Sequence, residues 1–307
     1  MNLHIKKLFV ISILSFMVSS AFAECIGVIT AGGGKGFWGD ISDGAKQAGK
    51  ELGVTIYARG ASDEANKEGQ KQVIKVIMDE GCGGLVLAPN AKERNKDVAD
   101  LKKKGIPTVY IDRDLGGDRV SVIKTNNFAA GELAGNEMVK ALKGKGRVAL
   151  LRLSKDVVST TARENGFMKA AVAGGLEIAI DTFLGTTIGK ARSKAEKALS
   201  NTSNIQGIFT PNESTSTGVL VTLEKLNKQG SLVHIGFDSS KVMIDSLNNH
   251  HIYGFVVQRP FKMGYDGVNA VYKAMKGKNI KENIDTGVVF VNSNNIKQKS
   301  IKQMLGI

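Results

Sequence analysis

Apolar runs and amphipathic stretches alternate along this chain about eleven times. The runs are rich in Ile, Val and Leu and predict strands over residues 25–30, 54–58, 84–88, 108–111 and 120–124, then over 147–153, 177–182, 207–210, 232–237 and 252–257. Apolar strands that alternate with helices are the pattern of parallel βαβ units. The series also repeats itself. The stretch from Gly44 to Gly53-Val54 resembles the one from Gly166 to Gly174-Gly175-Leu176: in both, a helix opens after a strand, sets small residues against the sheet and stops at glycine before the next strand. The expected fold class is α/β, with two doubly wound, Rossmann-like parallel-sheet lobes. No Pro/Ser-rich linker and no low-complexity segment separates them, so short crossings near Asn126-Asn127, Gln258-Arg259 and residues 286–292 are expected to form a multi-crossing hinge. Residues 24–126 with 259–288 are expected to make the N-terminal lobe, and residues 127–258 with 289–307 the C-terminal lobe.

The first residues change the setting. Lys6 and Lys7 precede the apolar run Leu8 to Val18, and Ala21-Phe22-Ala23 offers small residues where a signal peptidase reads, so residues 1–23 read as a secretory signal peptide cut before Glu24. The run is about half the roughly 20 apolar residues that span a bilayer. Glu24 occupies the place where a lipidated cysteine is preceded by a small residue, which argues against a lipid anchor on Cys25. A soluble periplasmic protein is expected. Its 307 − 23 = 284 residues exceed one ordinary domain, and 42% hydrophobic content is ample for two cores. The formal charge of +13 becomes +11 without Lys6 and Lys7, and the excess is spread over faces such as Lys102-Lys103-Lys104. Spread of this kind marks solvated helix faces, and nucleic acid is set aside as a partner for an exported chain. The basic balance would suit an anionic membrane surface or an acidic partner. Cys25 and Cys82 both stand at the starts of predicted strands that should be neighbours; in an oxidising compartment they form a candidate disulfide on the edge away from the strand C-termini.

The chemistry-bearing residues cluster at the other edge. Phe37 and Trp38 follow the first strand, Asp112 and Arg113 close the fourth, and Arg163, Asn212, Asp238 and Gln258 each follow or end a strand of the second series. Open parallel sheets bind ligands outside their strand C-termini. Competing chemistries fare poorly. Gly34-Lys35-Gly36-Phe37-Trp38-Gly39 satisfies G-x-G-x-x-G, yet the bulky pair would crowd a pyrophosphate, and Tyr57-Ala58-Arg59 stands where an acidic residue should end the second strand. Asp112 and Asp238 fall in different lobes and offer no raised-pKa acid for glycoside hydrolysis. No G-x-S-x-G, H-E-x-x-H or C-x-x-C occurs, and His234, His250 and His251 lack metal-ligand spacing. Neither enzyme activity, cofactor nor metal is expected.

Seven ordered pieces carry a resemblance across essentially all of the mature chain: Gly36-Phe37-Trp38 with Gly44-Ala45; Gly105-Ile106-Pro107 leading to Ile111-Asp112-Arg113; Asn126-Asn127-Phe128-Ala129-Ala130-Gly131; Arg163-Glu164-Asn165-Gly166-Phe167; Phe209-Thr210-Pro211-Asn212-Glu213; Gly236-Phe237-Asp238; and Val257-Gln258-Arg259-Pro260 with Met263-Gly264. The chain resembles the type I periplasmic sugar-binding proteins of the ribose-binding type, and Tyr57-Ala58-Arg59-Gly60 with Glu64 suggests a subgroup whose ligands vary. The resemblance implies capture of a monosaccharide or polyol between the lobes and delivery to an inner-membrane ABC permease. The alternative is presentation of the closed complex to a chemoreceptor or sensor kinase.

A sugar has apolar C–H faces and a polar rim. Phe37 and Trp38 suit a face; core packing is their other reading. Asp112 and Asp238 would each accept from two hydroxyls, or cap the following helix; Arg163 would donate through its fork, or form a salt bridge. Arg113 would brace Asp112 or reach the ligand, and Asn212 and Gln258 offer both donor and acceptor, or shape a turn and a hinge. Lys35 stands where the family often has Asn, Asn126 where it often has Asp, and Thr186 and Thr187 where ribose binders place an aromatic. Ribose itself is therefore doubtful, while Lys35 would suit a carboxylate or phosphate, or simply be solvated.

Overall fold

The computed structural model describes residues 25–200 and 204–307; the signal peptide read over residues 1–23 lies outside them. In the first half, strands Cys25–Thr30 (β1), Thr55–Gly60 (β2), Gly84–Leu87 (β3), Thr108–Ile111 (β4) and Ser121–Lys124 (β5) alternate with helices Phe37–Leu52 (α1), Lys67–Asp79 (α2) and Arg94–Lys103 (α3). The second series runs through helix Asn127–Ala141 (α4), strand Gly146–Arg152 (β6), helix Val158–Ala173 (α5), strand Leu176–Phe183 (β7), helix Ile188–Ser200 (α6), strand Gly207–Phe209 (β8), helix Glu213–Lys225 (α7), strand Val233–Phe237 (β9), helix Lys241–Asn248 (α8) and strand Gly254–Val257 (β10). Helix Pro260–Met275 (α9), strands Asn283–Asp285 (β11) and Val289–Asn292 (β12) and helix Lys299–Leu305 (α10) complete the chain.

Two six-stranded sheets result, ordered β11-β5-β4-β3-β1-β2 and β12-β10-β9-β8-β6-β7. The first is parallel throughout; the second is parallel except for β12, which runs antiparallel to β10. The backbone passes from one sheet to the other between β5 and α4, between β10 and α9, and between β11 and β12. Strand period places Ile26 and Val28 on one face of β1, against Ile41, Ala45 and Ala48 of α1 and Met263 and Val268 of α9. Ile29 lies on the other, with Ile74 and Ile77 of α2 and Val98 and Leu101 of α3. Both faces of the inner strands are dry, which is why their sequences read as unbroken apolar runs. The edge strand β2 differs from its expected span of 54–58. It begins at Thr55 and runs on through the polar Arg59 to Gly60 because it pairs with β1 in register as far as Thr30; apolarity alone does not mark an edge strand with one wet face.

Two of the repeated small residues, Gly44 and Gly166, have a different job from the sheet contact the sequence suggested. A Cβ at Gly44 would lie 1.9 Å from the Phe261 carbonyl oxygen, and one at Gly264 would lie 1.9 Å from that of Ile41, so these glycines let α1 and α9 touch backbone to backbone. In the second lobe Gly131 and Gly166 do the same for α4 and α5, with a Cβ falling 2.0 Å from Arg163 O and 2.1 Å from Phe128 O. Gly44 and Gly166 face a neighbouring helix, while Ala45 and Ala48 pack with Ile26 and Val28 of β1 and a Cβ at Gly49 would lie 2.3 Å from Ile56 Cγ1 of β2, so the rest of the first stretch does meet the sheet. Gly131→Ala is expected to lower stability by about 2 kcal/mol, because overpacking costs more than the ~1 kcal/mol that alanine returns in helix propensity. Thermal melting checks this, and an unchanged or raised midpoint would refute the close contact.

Candidate functional site

Strand ends from both sheets converge on one interlobe cavity of about 240 Å³, lined by Phe37, Trp38, Asp112, Arg113, Arg163, Asn212, Asp238 and Gln258 among others. The two aspartates are equivalent by the pseudosymmetry of the lobes. Asp112 follows β4 and Asp238 follows β9, both in the left-handed region with φ of 63° and 67°. Each sends its backbone N–H to the adjacent strand, Asp112 to Ile123 O at 3.0 Å and Asp238 to Val256 O at 2.8 Å. Aspartate tolerates this conformation better than most residues, and here it turns a carboxylate out of the strand line toward the cavity.

Phe37 and Trp38 open α1, edge to face with ring centroids 4.9 Å apart. Their position is held from several sides. Trp38 Nε1 donates to Glu64 Oε1 at 3.2 Å, Glu64 pairs through its other oxygen with Arg113, and the Arg113 guanidinium carbon stands 5.5 Å from the Trp38 ring centroid. Arg113 Nε also donates to Asp112 Oδ2 at 2.9 Å. Burial alone would lower the Arg113 pKa, but the two flanking carboxylates outweigh it and hold the cation firmly. Arg113 therefore braces an acid on each side of it.

In the second lobe, Arg163 lies in the second turn of α5 and is 2% exposed. Nε donates to Asn127 Oδ1 at 2.8 Å, Nη1 donates to Pro211 O at 2.9 Å, and the guanidinium lies over the Phe237 ring at 4.0 Å. Asp238 approaches Arg163 Nη1 at 3.9 Å, accepts from Gln258 Nε2 at 2.6 Å, and accepts from the Glu213 backbone N–H at 3.1 Å. Burial pushes the Asp238 carboxyl up, and Arg163, Gln258 and that N–H pull it back. Burial equally lowers Arg163, with Asp238 and Asp112 opposing. Gln258 accepts from Thr125 Oγ1 at 2.8 Å, so the residue after β10 in one lobe is tied to the residue after β5 in the other, beside two of the crossings.

Asn212 occupies the N-cap of α7, where its Oδ1 accepts from Thr215 N at 3.1 Å in a capping box. Its oxygen is thus bound to its own helix while the residue still lines the cavity. Asp238 does not cap the helix that follows it, since Ser240 does so for α8; its Oδ2 instead takes the first N–H of α7, that of Glu213. Lys35 lines the exposed end of the cavity, and Thr186 donates to Asp63 Oδ1 at 2.8 Å across the lobes.

Three contributors went unassigned in the sequence. Glu64 and Asn127 belong to quoted motifs, but their partners, Arg113 with Trp38 and Arg163, are remote in the chain. Glu213 is the third. Its side chain leaves α7 and crosses to the other lobe, where Oε2 accepts from Phe37 N at 3.2 Å. Burial drives its carboxyl up to about 7, with Asp238 and Asp40 adding repulsion. Among the described residues no group of three or more His, Cys, Asp or Glu is arranged to hold a metal ion, and no helix is long and apolar enough to cross a membrane. The cavity lining combines ion-paired carboxylates and guanidinium groups, amides, hydroxyls and one aromatic wall, a set that can offer donors and acceptors to a polar rim and an apolar surface to a face.

The family described as "Periplasmic binding protein domain" matches residues 26–279. The ribose import binding protein of Haemophilus influenzae is 25% identical over 250 residues, covering 81% of this chain and 84% of that protein. Among solved structures, the periplasmic component of an ABC-type sugar transport system from Hahella chejuensis superposes with a TM-score of 0.84 at 32% identity, covering 88% of this chain and all of that one, 100%. An ABC transporter solute-binding protein from Agrobacterium vitis with bound D-fucose gives a TM-score of 0.86 at 28% identity, covering 92% of this chain and 99% of that chain.

Proposed function

Because this chain belongs to the periplasmic binding protein domain family, we propose that it captures a monosaccharide or related polyol between its lobes and delivers it to an inner-membrane ABC permease. The observation that carries the proposal is the convergence of Phe37 and Trp38 with the charge-paired Asp112, Arg113, Arg163 and Asp238 in one cavity between two sheets. Such a site covers a sugar face and satisfies its rim without chemistry. The lobes, residues 24–126 with 259–288 and 127–258 with 289–307, move as units about the crossings and close on the sugar in the periplasm. Closure desolvates the polar groups, so each hydrogen bond in the cage strengthens while the open form still releases the sugar. The ribose import binding protein and the D-fucose-bound relative support a sugar ligand, and the small Thr186 and Thr187 favour one that needs no third aromatic.

A thermal-shift panel of monosaccharides, polyols and sugar acids tests this. A true ligand at 100 times its Kd should stabilise the protein by about 2.7 kcal/mol. No shift across the panel, or recovery of a chemically altered sugar at turnover, would refute the receptor reading. Deleting the gene should abolish uptake of the sugar that scores; intact uptake with a lost chemotactic or transcriptional response would instead assign the closed complex to a chemoreceptor or sensor kinase.

A further inference from the structure

Helix α1 begins without a cap from its own lobe. Gly36 is its N-cap residue and supplies no side-chain hydrogen bond, yet the first helical N–H, that of Phe37, bonds to Glu213 Oε2 from the opposite lobe. Gly36 makes room for that approach, with φ of 75° and a virtual Cβ only 2.5 Å from Glu213 Oε2. Any side chain at position 36 would push the carboxyl away. This bond joins the aromatic wall to the second lobe, and Thr186–Asp63 at 2.8 Å with Lys190–Asp63 at 3.9 Å bridges the lobes further out.

We infer that Glu213 is the positioning residue of closure: from the second lobe it caps α1, sets Phe37 and Trp38 against the cavity, and couples closing of the cleft to uptake of a proton. The inference rests on the reading that the two lobes close over a sugar. Its chemistry follows from the neighbours. No cation lies within salt-bridge distance of Glu213 among the described residues. The charges that act on it are Asp238 after β9 and Asp40 on α1; of the others that line the cavity, Asp112 and Glu64 pair with Arg113, Asp238 stands beside Arg163, Asp63 faces Lys190, and Lys35 lies in the β1–α1 loop. A negative Glu213 in the closed cleft is therefore buried beside like charges. A protonated one keeps the Phe37 bond through its carbonyl oxygen and sheds the repulsion.

The direction is fixed by linkage. Closed, the Glu213 carboxyl sits at about 7, mainly through burial; opened to water it returns toward the ordinary 4.5. The closed form binds the proton more tightly, so its advantage is full below the open-form value and is lost as pH rises through about 7. Between pH 5 and pH 8.5 the closed-to-open ratio should fall at least about tenfold.

The experiment places spin labels on Lys71→Cys in α2 and Ser193→Cys in α6, both exposed, in the mature chain with the Cys25–Cys82 bond intact. Interlobe distances are read from pH 5 to 8.5 with no sugar added, so the result does not depend on which sugar, if any, the panel identifies. The wild type should shift toward the long distance as pH rises. Glu213→Gln, which keeps a carbonyl acceptor and cannot ionise, should hold the short distance at every pH. Glu213→Ala should favour the long distance throughout, with circular dichroism and melting confirming an intact fold. A wild-type distance that ignores pH, a Glu213→Gln profile that tracks the wild type, or a Glu213→Ala distribution equal to the wild type would each overturn the inference. A positive result here beside a silent sugar panel would leave the closure residue standing and the sugar reading fallen.

Discussion

Arg163→Ala should weaken sugar binding by about ten- to a hundredfold. Two of the guanidinium's bonds anchor it, to Asn127 and to Pro211 O, and Nη2 has no protein partner among the described residues while the residue lines the cavity. A hydrogen bond to a charged group contributes roughly 1.5 to 3 kcal/mol, which is one to two decades in Kd. Removing the cation also leaves the buried Asp238 without its nearby charge, so part of the loss will come from a cage that no longer holds its own shape. Arg163→Lys separates these effects. Lysine keeps the charge beside Asp238 but lacks the planar fork, and should lose about tenfold in affinity with a smaller drop in melting temperature than alanine. Asp112→Ala and Asp238→Ala should fall in the same range. Calorimetry with the sugar found by the thermal-shift panel, beside Lys102→Ala on the surface, decides: unchanged affinity in all three cage variants with intact melting would place the ligand elsewhere.

Why these positions were legible in the sequence has a physical basis. Asp112, Asp238 and Gln258 end apolar runs, and in a parallel sheet the end of a run is also the edge where ligands sit. Pattern therefore carries position. It does not carry the partner. Nothing near Asp112 in the chain announces that Glu64 lies across Arg113, and nothing near Asn212 separates a capping asparagine from a ligand asparagine, since both jobs need the same short amide after a strand. Glu213 was hidden for the same reason: an acidic residue in the first turn of a helix is ordinary, and its partner Phe37 lies in the other lobe, 176 residues away in the chain. The antiparallel β12 escaped because a short strand returning beside β10 leaves a run no different from an edge loop. Gly44 and Gly166 were seen but assigned to the sheet with Ala45, Ala48 and Gly49, because small residues serve a sheet contact and a helix contact equally well until the packing is known.

Cleaving the link between Cys25 and Cys82 is expected to have the largest effect on stability while leaving the cleft untouched. The two sulfurs are bonded across 57 residues of chain, at the start of β1 and just ahead of β3, where Gly83 N also donates to Cys25 O at 3.0 Å. That corner is the edge of the sheet opposite Asp112. Closing a loop of this length restricts the unfolded chain by about 4 kcal/mol on the chain-entropy account, which for a protein of this size corresponds to roughly ten degrees in Tm. Both side chains are also part of the core formed with Ile74, Ile77 and Leu85, so Cys25→Ala with Cys82→Ala loses some packing and is the harsher change. Chemical reduction of the wild type removes the bond and keeps the sulfurs. If the disulfide acts on the unfolded chain alone, reduced protein should melt about ten degrees lower and bind its sugar with unchanged Kd. A reduced protein that melts with the oxidised form would show that the bond adds nothing, and a parallel loss of affinity would show that strain at this corner reaches the cage through β1 and β3.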